Sequence, residues 1–523
     1  MKSEKRKSFT YGIIILLMSQ IIVKFLGLLY RLYLTNKEGF GDIGNAIYSS
    51  GFQIYALLLM LSSVGVPNAI SKLISEKESI GDEKNANRIF RISLGFFSLL
   101  GFLGSIILFL GARFISSNIL QIPEAKLSIQ VLAPSVFFVS IMSVLKGYFN
   151  AKRDMKPMAH SQSIEQVIKT ILTIILVEYV STKDFGNEKI MLMAAAASLA
   201  TSMATAISYL YLCLIYKKNT KLKVLSKNIY KLEKISVITK KVIFVAFPVT
   251  LSVVLGGFCK NIDSFTVVRK LQNFIDIEEA KRQYGILSGK IETLITLPMS
   301  LNVAITSNTV PAISYANSMK NSADVKEKIR LSLLLTIVIA LPCMVIMIVY
   351  AKQILQLLFP NASSGEVVYK ISSISILFVM LNQTMSGIFQ GLGKHTIPVV
   401  SMGIGVCMKL LLNSILLSYS PNKLFLAGIT GASFSTVMCH VTAFMINSFY
   451  LNKILRLNKN SFLFVLKPVI CCILMIIVSI FLYKKMIYII ATEKIAFVIV
   501  LFLSALFYFF ELVLFKIFSM KVV

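Results

Sequence analysis

The sequence predicts an all-α, polytopic membrane protein. Of its 523 residues, 56% are hydrophobic and only 15% are charged, and the mean hydropathy is +0.77. A soluble protein has about a quarter of its residues charged, so a soluble globular chain is excluded. Apolar runs such as 470–482 and 495–510 are unbroken, whereas the strands of a membrane barrel alternate in polarity. The runs therefore predict membrane-spanning helices.

Charged residues and Pro/Gly/Asn clusters divide the chain into about 14 predicted spans of roughly 20 residues each. The predicted spans are 11–34, 46–71, 90–112, 127–149, 160–180, 190–216, 241–262, 284–310, 331–353, 367–391, 397–419, 426–450, 462–483 and 494–518. The region 263–283 is expected to be partly an interfacial helix. With the N-terminus inside, most Lys and Arg residues fall on the cytoplasmic side, which predicts cytoplasmic N- and C-termini in a bacterial plasma membrane.

An internal duplication is visible in the sequence. The segment 66–71 (VPNAIS) recurs as 310–314 (VPAIS). Four further residues recur about 240 positions later in the same order, as expected of a parallel repeat: Gly147, Phe149, Pro157 and Lys169 return as Gly387, Phe389, Pro398 and Lys409. We therefore expect two pseudo-symmetric six-helix lobes, 1–216 and 241–450, joined by a basic cytoplasmic linker, 217–240, with two additional helices in 451–523.

Several basic residues are predicted to lie at bilayer depth. A charged side chain at the centre of a span costs about 2.5–3.5 kcal/mol on insertion scales, so it requires compensation. Lys24 and Arg31 are seven residues apart on one face of the first span, and Lys290 lies in the eighth. Lys260 and Arg269 lie near the outer end of the seventh span. Together these side chains predict a cationic cleft for an anion such as a phosphate or pyrophosphate.

Simpler interpretations remain open for some of these residues. Arg31 could extend to the outer interface, and Lys260 could form a local ion pair with Asp263 three residues later. Glu165 and Lys169 are four apart and are expected to form a structural ion pair on one helix face.

Helix-breaking residues mark candidate hinges, because proline removes a backbone hydrogen bond and glycine loosens a helix. The candidates are Pro67, Pro248, Gly256, Gly257 and Pro311.

The net charge of +30 does not indicate a nucleic-acid partner, because the basic residues lie mostly between apolar runs, where they orient the chain and meet membrane lipids. The sequence has no phosphate-binding GxxxxGK[ST] loop. Its three histidines are scattered, and its seven cysteines form no CxxC pair. We therefore expect no enzyme activity, no cofactor and no metal site.

Several motifs, in order along nearly the whole chain, resemble one family. They are Gly65 to Glu76, Gly147 to Gln166, Tyr284 to Lys290 and Gly387 to Lys394. They resemble the stage V sporulation protein B and polysaccharide biosynthesis protein family, which belongs to the multidrug/oligosaccharidyl-lipid/polysaccharide (MOP) flippase superfamily. The resemblance implies alternating access and export of undecaprenyl-pyrophosphate-linked sugars. It also implies basic residues on spans one, two and eight; Lys24, Arg31 and Lys290 fit, but the second span has no deep basic residue, because Lys72 lies at its cytoplasmic end.

The functional hypothesis is a lipid II-like flippase that carries a lipid-linked oligosaccharide for peptidoglycan or spore-cortex synthesis outward, acting as a monomer. Cell-wall synthases are candidate partners. One alternative is a multidrug or cation antiporter of the same superfamily, which would need an acidic cleft. The other is a non-transporting partner of a cell-wall synthase.

Overall fold

The computed structural model describes residues 19, 22–63, 65–152, 154–220, 232–419, 425–455, 466–490, 492–515 and 517. Within these residues the regular structure is helical and contains no strand, which confirms the predicted all-α class. The helices are α1 (22–36), α2 (Gly41–Ser63), α3 (Gly65–Ser79), α4 (Glu83–Phe114), α5 (Ala125–Ala151), α6 (Lys156–Ser181), α7 (Lys189–Thr220), α8 (Ile235–Leu271), α9 (Ile277–Gly285), α10 (Glu292–Ser318), α11 (Ser322–Val349), α12 (Ala351–Leu358), α13 (Glu366–Ser373), α14 (Ser375–Gly391), α15 (Thr396–Leu416), α16 (Ile429–Leu455), α17 (Leu466–Ile489) and α18 (Glu493–Leu514).

Among the described residues, ten helical stretches are long and apolar enough to cross a membrane. They are Gly41–Ser79, Glu83–Ile119, Ala125–Ala151, Gly186–Lys218, Ser322–Val349, Glu366–Gly391, Thr396–Leu416, Ile429–Ile454, Leu466–Ile489 and Glu493–Leu514. They coincide with predicted spans two, three, four, six and nine to fourteen. Helices α1, α6, α8 and α10 overlap the other predicted spans. The protein is therefore a polytopic helical membrane protein.

The chain forms two compact units, Met1–Lys290 and Ile291–Val523. This boundary lies after the predicted linker 217–240, because α8 and α9 belong to the first unit. Helix α8 packs there against α2, α3 and α9. The division into lobes at 217–240 and the further boundary at 451 stay predictions.

Glycines allow close helix packing at the repeated motifs of each unit. In the first unit, a Cβ atom added at Gly147 of α5 would lie 2.9 Å from the carbonyl oxygen of Pro67 in α3. In the second unit, a Cβ at Gly387 of α14 would lie 2.9 Å from Thr306 Cγ2 of α10, and one at Gly391 would lie 3.0 Å from the carbonyl oxygen of Val310. Each unit thus packs its Val-Pro motif helix against a glycine, as a duplication would require.

The candidate hinge residues lie in different settings. Pro67 is buried in the first turn of α3, and Pro311 lies inside α10. Gly257 packs against the side chain of Met60 in α2, so its lack of a side chain allows α8 and α2 to approach each other. Pro248 and Gly256 lie within α8, and their surroundings are outside the described part of the structure. The hinge roles stay predictions.

The region 263–283 contains the end of α8 and the short helix α9. Asp276 caps α9 by accepting a hydrogen bond from the Glu278 N–H at 3.0 Å. Lys281 is largely buried on α9, and its Nζ lies 2.6 Å from Glu124 Oε1 at the start of α5. This ion pair joins α9 to the rest of the first unit.

After α9 the chain continues as a π-helical turn, Ile286–Ile291, which lies close to α2. A Cβ added at Gly285 would lie 3.1 Å from Ala46 N, and one at Gly289 would lie 2.6 Å from Asn45 Cβ. The two glycines are one helical turn apart and share a face. They therefore let the π-helical turn pack directly on α2, which is what places Lys290 beside that helix.

A charged network joins the residues before α8 to α3 and α4. The Glu233 carboxylate lies 2.5 Å from Lys77 Nζ and 3.0 Å from Lys241 Nζ. The Glu233 N–H donates to Asn85 Oδ1 at 3.0 Å. The hydrogen bond from Lys77, with help from Lys241, holds the pKa of Glu233 below its usual value.

Replacing Gly289 with Val should destabilise the first unit. The added Cβ would collide with Asn45 Cβ, and overpacking of this kind costs about 1–3 kcal/mol. We expect a lower unfolding midpoint in detergent, measured by thermal denaturation. Gly95→Val in α4 is the control, because nothing lies within 4 Å of a Cβ there. Equal midpoints for the two variants would contradict the close approach.

Replacing Glu233 with Gln should reduce stability by about 1 kcal/mol at pH 7. Because the pKa of Glu233 is lowered in the folded state, its contribution is present above the unfolded-state value of about 4.3. The contribution is lost as the pH falls through the folded-state pKa. The gap between wild-type and variant unfolding midpoints should therefore close under acid. Glu76→Gln, at an exposed pair with Lys72, should leave the midpoint unchanged; a gap that persists in acid would refute the ionic account.

Candidate functional site

The guanidinium of Arg31 is buried between α1, α2 and the π-helical turn, with 7% of the residue exposed. It donates to Asn45 Oδ1 at 3.2 Å, to Ser49 Oγ at 2.8 Å and to the Ser288 carbonyl oxygen at 3.4 Å. It also lies 5.0 Å from the centre of the Tyr48 ring. All these partners are neutral. Arg31 is therefore a buried cation held by dipoles and a ring face, not by a carboxylate.

Three of these partners lie on one face of α2. Asn45, Tyr48 and Ser49 are spaced i, i+3 and i+4, which places their side chains together on a helix. Asn45 is itself oriented by a hydrogen bond from its Nδ2 to Thr35 Oγ1 at 2.9 Å. This second contact fixes Asn45 Oδ1 as the acceptor that faces Arg31.

Lys290 is fully buried in the π-helical turn, and its Nζ lies 3.0 Å from the carboxylate of Asp42 at the start of α2. π-Helical turns often occur at functional sites, because the wider turn redirects side chains. Here the turn, together with Gly285 and Gly289, places the ammonium of Lys290 at the same end of α2 as Arg31.

Lys169 is the third buried cation of this group, with 6% of the residue exposed. Its Nζ lies 4.9 Å from the centre of the Tyr30 ring and 4.5 Å from that of Phe52. This arrangement replaces the predicted ion pair with Glu165, which instead accepts a hydrogen bond from Thr205 Oγ1 at 3.1 Å. Spacing of i, i+4 permits an ion pair but does not enforce one, and the rings from α1 and α2 attract the ammonium instead.

We call Arg31, Lys169, Lys290 and Asp42 the cation cluster. Its members come from α1, α6, the π-helical turn and α2, all within the first unit. Three cations and one carboxylate leave a surplus of two positive charges among these four side chains. Such a surplus in a low-dielectric setting favours binding of an anion, through charge-assisted hydrogen bonds.

Two of the other predicted binding residues are not buried like the members of the cation cluster. Lys24 on α1 and Arg269 in the last turn of α8 are exposed. Asp263 is 9% exposed, and the side chain of its predicted partner Lys260 lies outside the described ones. Roles for Lys24, Lys260 and Arg269 in binding stay predictions.

Sequence reasoning did not identify Asp42, Asn45, Tyr48 and Ser49 as partners of the cations. The available signal was the polar face of α2, where these residues follow one another at helical spacing near the start of the second span. The glycine pair Gly285 and Gly289 was a second signal, because two glycines one turn apart permit another backbone to approach.

Comparisons with known proteins agree with this architecture. The family model described as "Polysaccharide biosynthesis protein" matches residues 9–317, and the model described as "MatE" matches residues 284–415. The "Uncharacterized membrane protein YabM" of Bacillus subtilis (strain 168) is 29% identical, over 87% of this chain and 82% of that protein. The "Stage V sporulation protein B" of the same organism is 25% identical, over 87% of this chain and 85% of that protein.

Among solved structures, one titled "Lipid II flippase MurJ, inward closed conformation" matches with a TM-score of 0.71 and 16% identity, over 96% of this chain and 98% of that one. At this identity the match shows the fold alone. The family and the fold together bear out the expectation that the chain is not an enzyme. Because the first family model covers more than half of the sequence, the chain belongs to the polysaccharide biosynthesis protein family.

Proposed function

We propose that the protein is a flippase that moves an undecaprenyl-pyrophosphate-linked saccharide, such as a lipid II-like precursor, to the outer leaflet of the bacterial plasma membrane. The observation that carries the proposal is the environment of Arg31: a buried guanidinium whose partners are all neutral. A planar guanidinium donates two parallel hydrogen bonds to phosphate oxygens, so Arg31 suits a pyrophosphate group.

The free-energy cost of burying Arg31 supports an anion as its binding partner. Burying a cation costs several kcal/mol even after the protein relaxes, and a hydrogen bond from a charged group returns only about 1.5–3 kcal/mol. An apolar residue at the same position would often be as stable or more stable. Among the residues that the structure describes, no carboxylate pairs with Arg31, so the buried guanidinium is costly as a structural element and is well placed to bind a negatively charged group.

The relatives point to the same class of substrate. One similar structure is titled a lipid II flippase, one relative is named a stage V sporulation protein, and the family name refers to polysaccharide biosynthesis. In the proposal, Arg31 binds the pyrophosphate while the lipid tail stays among membrane lipids, and alternating access carries the headgroup across. Both termini are cytoplasmic, and the protein acts as a monomer that supplies cell-wall synthases.

The membrane potential provides a means to reset such a carrier. The unloaded cation cluster has a surplus of two positive charges, which a bound pyrophosphate would offset. Moving one full charge through 100 mV is worth about 2.3 kcal/mol. An inside-negative potential would therefore favour return of the unloaded cations toward the cytoplasm.

A second candidate, a multidrug or cation antiporter, is favoured by the MatE match over residues 284–415. A cation carrier needs acidic or aromatic groups at its binding site. Aromatic rings surround the cation cluster, but Asp42, its one carboxylate, is already paired with Lys290. The positive surplus therefore supports the anionic substrate. A third possibility, a non-transporting partner of a cell-wall synthase, leaves the buried cations without a role.

Arg31→Gln should slow translocation of a fluorescent undecaprenyl-pyrophosphate-linked disaccharide in reconstituted vesicles by about 10–100-fold, because a charged hydrogen bond worth about 1.5–3 kcal/mol is lost. Arg31→Lys, which keeps the charge but loses the paired donors, should fall in between. The measurement is the rate at which the probe becomes accessible to a reagent outside the vesicle.

Arg113→Gln is the matched control for this experiment, because Arg113 is exposed at the end of α4. It should translocate the probe at the wild-type rate. Folding of each variant is checked by its thermal unfolding midpoint. An Arg31→Gln protein that is folded and flips the probe as fast as the wild type would refute the role of Arg31. A wild-type protein that does not flip the probe would refute the proposed function.

A further inference from the structure

Lys169 lies near the middle of α6, the helix that overlaps the predicted fifth span, 160–180. Helix α6 runs from Lys156 to Ser181, so Lys169 is about 20 Å from its first residue at 1.5 Å per residue. Its burial shows that it does not extend to an interface. The ammonium is therefore held at bilayer depth.

The neighbours of Lys169 are aromatic. Its Nζ lies over the faces of Tyr30 and Phe52, and no carboxylate forms an ion pair with it in the described part of the chain. Desolvated cation–π contacts are worth about 2 kcal/mol or more each, whereas burying an ammonium costs several kcal/mol. The rings hold the charge in place but do not neutralise it.

Lys169 and Arg31 lie on the same aromatic cluster, formed by Tyr30, Tyr48 and Phe52. Arg31 contacts the Tyr48 ring, which is stacked with Phe52 at a centroid distance of 5.9 Å and an interplanar angle of 17°. Phe52 in turn contacts Lys169. One continuous set of rings therefore connects the two buried cations.

The register between α1 and α6 gives the relative levels of Lys169 and Arg31 along the two helices. Ser19 Oγ donates to the Ala159 carbonyl oxygen, and Thr170 Oγ1 contacts the carbonyl oxygen of Leu26. Lys37 Nζ bonds Glu178 farther along the same pair of helices. The helices are thus parallel, and Lys169 lies at about the level of residue 26. The backbone of Lys169 is therefore about five residues, or roughly 7 Å, from the backbone of Arg31 toward the cytoplasmic end.

We propose that Lys169 is a second phosphate-binding residue, which holds the pyrophosphate at a deeper position on its route to or from Arg31. This inference rests on the proposed function and adds to it a step at mid-bilayer depth. A headgroup that moved between water and Arg31 in a single step would cross the apolar interior without a countercharge. A cation whose backbone lies about 7 Å deeper than that of Arg31, and which rests on the rings of Tyr30 and Phe52, divides that step in two.

The test compares Lys169→Met, Lys169→Gln and Lys169→Arg with the wild type in vesicles containing the fluorescent undecaprenyl-pyrophosphate-linked disaccharide. We expect the Met and Gln variants to flip the probe at least about 10-fold more slowly, the effect of losing a charged hydrogen bond. Their affinity for the probe should change much less than in Arg31→Gln. The Arg variant should retain more of the rate than either neutral variant.

Stability separates this role from a structural one. A buried charge replaced by an apolar side chain is often neutral or stabilising, so Lys169→Met should unfold at the wild-type temperature or above. Lys183→Met is the matched control: Lys183 lies just beyond the same helix and contacts the Tyr179 ring at 5.7 Å, but it is exposed. It should flip the probe at the wild-type rate.

The outcomes distinguish this inference from the proposed function. If the wild type flips the probe and Arg31→Gln is slow, but a folded Lys169→Met or Lys169→Gln protein flips at the wild-type rate, the role of Lys169 is refuted and the proposed function stands. Slow flipping by Lys183→Met would equally refute a role specific to Lys169. If the wild type does not flip the probe, the proposed function fails, and this inference fails with it.

Discussion

The energetic cost of burying positive charge is the constraint on which the first unit depends. Arg31, Lys169 and Lys290 are each at least nine-tenths buried, and each is held in a different way. Lys290 has a carboxylate, Arg31 has neutral oxygens and a ring, and Lys169 has ring faces. Partial compensation of this kind keeps the cations inside the bundle while leaving their combined charge available to an anion.

Close helix packing and ion pairs hold these three cations in position. Gly285 and Gly289 bring the π-helical turn onto α2, and without that approach Lys290 could not reach Asp42. Ion pairs at both ends of the first unit then fix its helices: Lys281 with Glu124 at one end, and Glu233 with Lys77 at the other. The cluster is thus supported by rigid helices and not by loops, which favours precise placement of donors.

In the second unit, neutral buried side chains of α10, α11 and α14 form hydrogen bonds with one another. Asn302 donates to Thr384 Oγ1 at 3.2 Å and accepts from Thr336 Oγ1 at 3.2 Å, and the two threonines bond each other at 2.7 Å. This network is neutral and satisfied from within. Lys409, the repeat counterpart of Lys169, is also fully buried. A buried lysine is therefore present at the repeated position of both units.

Hydropathy was sufficient to predict the helical class and the positions of the spans, because the apolar length of each helix is a local property of the sequence. Depth along a span also identified Arg31 and Lys290 as buried cations. Depth could not determine which way a side chain faces, so Lys24 was expected beside Arg31 and is exposed. The partners of Lys169 come from α1 and α2, far away in sequence, and spacing on α6 alone indicated Glu165 instead. The π-helical turn that positions Lys290 has no simple sequence pattern.

The most direct measurement is an experimental structure of the protein bound to an undecaprenyl-pyrophosphate-linked saccharide in a lipid nanodisc. The account predicts phosphate oxygens within about 3 Å of the Arg31 guanidinium or of Nζ of Lys290 or Lys169, with at least one of the bonds from Arg31 to Asn45, Ser49 or Ser288 exchanged for the ligand. A headgroup bound elsewhere, with all three cations keeping their present partners, would contradict it.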